Sequence, residues 1–192
     1  MFTLILIVLI LLGYFTPWVF NAGGGLTLHA LDLAEWTTAH PFVRAESPAL
    51  LSTLILRLPL LCAAIMLALN ARLLPDRWTR LTARLLALAL IVGMLLQFNF
   101  IRELNNVNYQ QQLALALISA LVFVVTLFVR LDDWLRAAST IAALIGLIAT
   151  IIGAMRALNL MQSFEIASVL GDGVLLTAMG FVAWIAYEVI DY

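Results

Sequence analysis

Two histidines and two carboxylates stand close together in the stretch Leu26 to His40: His29, Asp32, Glu35 and His40. These side chains can ligate a metal, relay protons or sit beside a bound pigment or quinone. Their spacing restricts them. On a helix His29 and Asp32 share a face and Glu35 lies about 60° further round. His40 falls about 16 Å from His29, so the two imidazoles cannot hold one ion from a single straight helix. Neither lies in a segment that spans a membrane, so the chain does not offer two buried axial haem ligands. The pattern reads first as capping and hydrogen bonding at a membrane boundary. His29 and His40 are the only cofactor candidates, a metal site is not expected, and no resident cofactor is assigned.

Arg57 is the most informative single residue. It sits inside an apolar segment, about 12 Å along it if the segment is helical. A charge placed there is costly and is normally paired or snorkelling. Arg102 and Arg156 fall near the same boundary on two other segments, and Asp32, Glu35, Glu46, Glu103 and Glu165 supply acids on that side. The expectation is an ion-pair network that pins residues 21–48 onto a helix bundle. Lipid phosphate at the arginines, or a transported anion, are the alternatives. Glu188 and Asp191 close the chain near the other boundary, where a hydrated carboxylate is expected. Asn70, Gln97 and Asn99 suit bonds between helices. No nucleophile and base fall together, and no phosphate loop, CxxC or HExxH occurs; the chain is not expected to be an enzyme.

The elements that must position these groups follow from composition. Of 192 residues 65% are hydrophobic and 11% charged, and mean hydropathy is +1.09. A soluble domain is about half apolar and a quarter charged, so a soluble enzyme is excluded. All ten basic residues are arginine, against eleven acids, for a net charge of −1; no basic surface for nucleic acid exists. The one cysteine, Cys62, lies in an apolar run, which excludes disulfides.

A hydrocarbon core about 30 Å thick needs about 20 apolar helical residues. Six segments meet or approach that length: 2–20, 49–71, 83–101, 112–130, 137–156 and 173–190. The expected fold is therefore an all-α membrane bundle of one domain with about six transmembrane helices. The second segment, with Arg57 and Pro59, and the fifth, ending at Arg156, are the weakest. The first reads as a retained helix, because it lacks a basic start and Phe20-Asn21-Ala22 is a poor cleavage site. Arg72, Arg77, Arg80, Arg84, Arg130 and Arg136 fall on one side, and Arg44, Arg57, Arg102 and Arg156 on the other. That bias is expected to put both termini in the cytoplasm and the 21–48 loop outside. Within that loop Thr27 is expected to cap a short interfacial helix running to Thr38, with Pro41 ending it. Trp18 and Trp36 are expected to anchor the outer interface, and Trp78 and Trp134 the inner one.

The fifth segment carries small residues every four positions: Ala138, Ala142, Gly146, Thr150 and Ala154. This stripe permits close backbone approach, within the bundle or against a partner's helix. In size, helix count and polarity the chain resembles the small, cofactor-free accessory subunits of bacterial quinol-oxidising and photosynthetic electron-transfer assemblies, such as alternative complex III. The stretch LTLHALDLAEWTTAHP, with Arg57 behind it, is its most distinctive part. That resemblance implies a scaffold role among other integral membrane subunits and membrane lipids. A small permease or channel is the alternative.

Overall fold

The computed structural model describes residues 2–21, 25–95, 103, 105–128 and 132–190. In chain order these form α1 (Phe2–Phe15), β1 (Pro17–Asn21), β2 (Thr27–His29), α2 (Ala30–Thr38), α3 (Pro41–Arg44), α4 (Leu51–Asn70), α5 (Arg77–Gly93), α6 (Val107–Phe128), α7 (Asp132–Ser163), β3 (Ser168–Leu170) and α8 (Asp172–Ile190). Four helices, α4, α6, α7 and α8, are long and apolar enough to cross a membrane. At 1.5 Å per residue, α1 with 14 residues and α5 with 17 are about 21 and 26 Å long.

α4 is the buried centre, packed on α7, α2, α5, α6 and α1. It runs unbroken through Arg57 and Pro59. α1 lies against α8 with almost no side chain between them. A Cβ on Gly13 would stand 2.3 Å from the Thr177 backbone nitrogen, and one on Gly180 would stand 2.6 Å from the Ile10 side chain. The stripe on α7 is used the same way: a Cβ on Gly146 would strike the Phe181 ring of α8 at 2.4 Å. Ala142, Thr150 and Ala154 are buried, and Ala138 is half-buried. The stripe therefore faces neighbours inside the bundle, while Ile141, Ile145, Ile148 and Ile152 cover the opposite face and are exposed.

The first segment departs from expectation. Its helix ends at Phe15, and Pro17 to Asn21 form a strand. A proline cannot donate to the preceding turn, and it disfavours helical geometry in the residue before it. β1 is the middle of a three-stranded antiparallel sheet, with β2 on one side and β3 on the other. The sheet ties the first loop to the segment before α8. Trp18, expected at the interface, is fully buried instead; its Nε1 donates to the Gly13 carbonyl at 3.1 Å, and its ring packs edge-on against Tyr14. The strand turns this ring inward where a continued helix would have carried it outward. Trp36 is half-buried against His40 and Phe164, and Trp78 and Trp134 are exposed.

Residues 27–29 are likewise strand rather than the first turn of a helix, and Pro41 opens α3 instead of closing α2. Pro at the first helical position lacks only an N–H that would have had no helical partner. α7 runs seven residues beyond Arg156 and ends in a Schellman turn. There Ile166 N–H donates to Met161 O (3.1 Å), Glu165 N–H donates to Gln162 O (2.9 Å), and Glu165 has φ 59°.

Candidate functional site

α2 lies across α4 and is fastened to it by two polar contacts one turn apart. Thr37 Oγ1 and Thr53 Oγ1 share a hydrogen bond of 2.9 Å. Four residues further along α4, Arg57 Nη2 donates to Glu35 Oε1 at 2.5 Å. Gln112 of α6 donates to the same oxygen at 2.9 Å. One carboxylate thus joins three helices. Arg57 is 5% exposed, and a charge so buried needs its partner to offset the lost hydration. Its Nη1 is also buried and has no hydrogen-bond partner among the described residues. Tyr14 of α1, fully buried, donates to the Leu56 carbonyl beside this pair at 3.2 Å.

A second pair holds the end of the same loop. Arg156 Nη1 donates to Glu46 Oε1 at 3.0 Å and to Ser52 Oγ at 2.9 Å. Glu46 accepts from the Ser52 backbone N–H at 2.8 Å, and so caps the start of α4. Arg156 is over one-third exposed, so this pair contributes less than Arg57–Glu35. Gln111 donates to the Ala49 carbonyl at 3.0 Å and steadies the same turn from α6.

The histidines are helix caps. His29 Nδ1 accepts from the Asp32 N–H at 3.3 Å at the start of α2, and its Nε2 lies 3.1 Å from the Asp32 carboxylate. His40 Nδ1 accepts from the Phe42 N–H at 3.2 Å at the start of α3. Its Nε2 lies 3.0 Å from Ser163 Oγ, and that hydroxyl donates to the Leu160 carbonyl. With the Ser163 proton committed there and Nδ1 already accepting, His40 Nε2 is the donor in this pair. The arrangement therefore does not activate Ser163 as a nucleophile. Among the described residues no cluster of His, Cys, Asp and Glu is placed to hold a metal ion.

Of the other residues singled out in the sequence, Glu103 accepts from the Asn106 side chain at 3.2 Å, and Glu165 occupies the left-handed position that ends α7. Arg102 lies outside the described residues, as do Gln97, Asn99 and Asp191. Sequence reasoning did not find Gln112, Ser52 or Tyr14. The only signal for the glutamine was its place at the edge of the apolar run that begins at Leu113.

Two cavities meet at Glu35. One, about 430 Å³, is lined by Arg44, Asn106, Asn108 and Tyr109 among others. The other, about 100 Å³, lies behind the carboxylate, with Arg57 on its wall and Leu31, Leu60, Met94 and Leu115 around it. At the opposite end of α4, Asn70 donates to Ser139 at 2.7 Å, and a cavity of about 190 Å³ is lined by Asn70, Arg136, Tyr187 and the buried Glu188. Asp76 caps α5 there, accepting from the Trp78 and Thr79 N–H groups and from the Thr79 hydroxyl. These bonds, the Thr79 hydroxyl foremost, hold its carboxyl below the usual value of 3.8. No protein-family model matches the chain, and neither a curated protein nor a solved structure matches it.

Proposed function

We propose that this protein is a non-catalytic accessory or scaffold subunit of a larger bacterial membrane complex, with an electron-transfer assembly as the complex to test first. α1 and α5 join the four longer helices to give six spans. Both termini face the cytoplasm, and the sheet with α2 forms an outer cap. Its partners are other integral membrane subunits, with membrane lipids on the remaining faces.

One observation carries this reading over that of a permease or channel. Among the described residues the charged groups of the bundle gather at its two ends; the slab between is mainly apolar, and its buried hydroxyls, Ser119 and Thr150, are bonded to carbonyls of their own helices. Met66, Leu67, Ile7, Ile10, Phe181 and Trp184 fill that slab and are buried to 2% exposure or less. Interiors of this kind are close-packed and leave no wetted path. The polar contacts at the capped end serve to fix one element on another, which is what a scaffold requires. The exposed apolar faces of α6 and α7, with Leu117, Leu121, Ile145 and Ile148, suit a neighbouring helix or lipid.

The test is native-gel sizing and identification of co-purifying proteins after extraction in mild detergent, with an absorption spectrum of the same band. The reading expects a large band with stoichiometric partners and the absorption of their haem or pigment. A colourless band of one or two copies contradicts it and returns the permease to first place.

A further inference from the structure

Arg57 brings five N–H donors into a site where it is 5% exposed. Nη2 is used on Glu35, and Nη1 is buried with no partner among the described residues. A buried donor without an acceptor is costly, the more so on a charged group. Arg57 is also on the wall of the cavity of about 100 Å³ whose other walls are mainly Leu31, Leu60, Met94 and Leu115. An apolar cavity of about 150 Å³ can hold a benzene ring. This one admits a smaller apolar group, such as the first carbons of a chain.

From this pairing of an unmet donor with an apolar cavity, we infer that the Arg57 cavity binds a membrane amphiphile through a neutral carbonyl. The carbonyl oxygen accepts from Arg57 Nη1, and the adjoining carbons lie against Leu60, Met94 and Leu115. Charge selects the neutral group. Glu35 already balances Arg57 at 2.5 Å, so a phosphate or carboxylate at Nη1 would sit beside a like charge in an environment that screens it poorly. A glycerolipid ester supplies such a carbonyl next to a methylene chain thin enough for the cavity, whereas a quinone ring is larger than the cavity admits.

Gly93 makes the inference testable without touching the ion pair. It lines the cavity at the end of α5, and a Cβ there meets nothing within 4 Å. Gly93→Leu therefore adds a side chain at the cavity wall without a steric clash, leaving Arg57 and Glu35 in place, and leucine also favours the helix. The full chain in neutral detergent is titrated by native mass spectrometry with monoolein, with the ether analogue that lacks the carbonyl, with oleate, and with decyl-benzoquinone. The expected result is one saturable site, with the ether and oleate each at least tenfold weaker than the preferred carbonyl compound. Decyl-benzoquinone, whose ring exceeds the cavity, should bind at least tenfold weaker than monoolein, the expected ligand, and tighter binding of the quinone overturns the inference. Gly93→Leu should weaken monoolein binding at least tenfold with an unchanged or higher melting temperature. Arg57→Lys, which keeps the charge but not the second nitrogen, should erase the preference for ester over ether. Equal binding of ester and ether to the wild-type chain, or binding unaffected by Gly93→Leu, overturns the inference.

Discussion

Two pairs of arginines, one at each end of the bundle, are handled in opposite ways. At the capped end, Arg57 and Arg156 are held by carboxylates from the first loop, Glu35 and Glu46, across 22 and 110 residues of sequence. At the other end Arg77 and Arg80 lie exposed on the first turn of α5, and Arg80 Nε donates to a carbonyl one turn back, at 3.3 Å. The first arrangement fixes tertiary structure, because each pair spans two elements. The second sets the position of a helix start and leaves the guanidinium groups to solvent or lipid headgroups. Burial decides which arginine matters to the fold: a pair costs much to break only when the survivor stays buried.

Breaking the buried pair should give the largest effect. Glu35→Gln leaves Arg57, 5% exposed, without its carboxylate, and should cost about 3 kcal/mol. It should expose residues 30–48 to protease without preventing membrane insertion. A protease pattern like that of wild type would show that the cap is held by packing alone. The next effect probes whether the helix contacts beneath the cap are as exacting as its charges. Gly13→Leu drives a side chain into the backbone of α8 at Thr177 and should cost about 1–3 kcal/mol or more. Gly146→Leu meets the Phe181 ring rather than a backbone, but that ring is fully buried, so it should also cost about 1–3 kcal/mol, read from the two melting temperatures.

Glu165→Gly distinguishes a backbone role from a charge role at the capped end. Removing the Cβ from a left-handed residue should stabilise by about 1 kcal/mol, whereas a residue needed for its charge would show a loss. Arg156→Met, at the half-exposed pair, should cost under about 1 kcal/mol and be masked by high salt. The smallest effect belongs to Asp76. Its carboxyl is held below 3.8 in the folded chain, so the unfolded chain binds the proton first. The cap's contribution is complete above that value and disappears as pH falls below it. Circular dichroism should show slight fraying of α5 in acid, absent in Asp76→Asn.

The sequence made the long helices legible because an apolar run of some 20 residues has few other solutions. Each of the six segments overlaps a helix at shifted bounds, and four of those helices are long and apolar enough to cross a membrane. Arg57 was legible too, because a lone charge in such a run demands a partner from the acids available. Its particular partner was not: Glu35, Asp32 and Glu46 are equivalent until α2 is laid on α4. The sheet was missed because its strands are three to five residues long, below the reach of hydrophobic periodicity, and because β1 continues the apolar run of α1. Pro17 was the one local signal, and Trp18 moved from interface to core with it. The cap of α2 was expected at Thr27, two residues before His29, and α3 with its cap His40 was not foreseen, for a related reason. Imidazole can cap a helix through Nδ1, but serine, threonine, aspartate and asparagine are the usual markers of a helix start.

The claim that the Arg57–Glu35 pair fastens the cap to the bundle is tested most directly by a double-mutant cycle. Arg57→Met, Glu35→Gln and the pair together are compared by melting temperature and by the rate at which protease cuts residues 30–48. The account predicts that the single variants are each cut much faster than wild type, and that the double variant is less affected than their sum, with a coupling of about 1–3 kcal/mol. Strictly additive effects, or a cutting rate that none of the three variants changes, would contradict it.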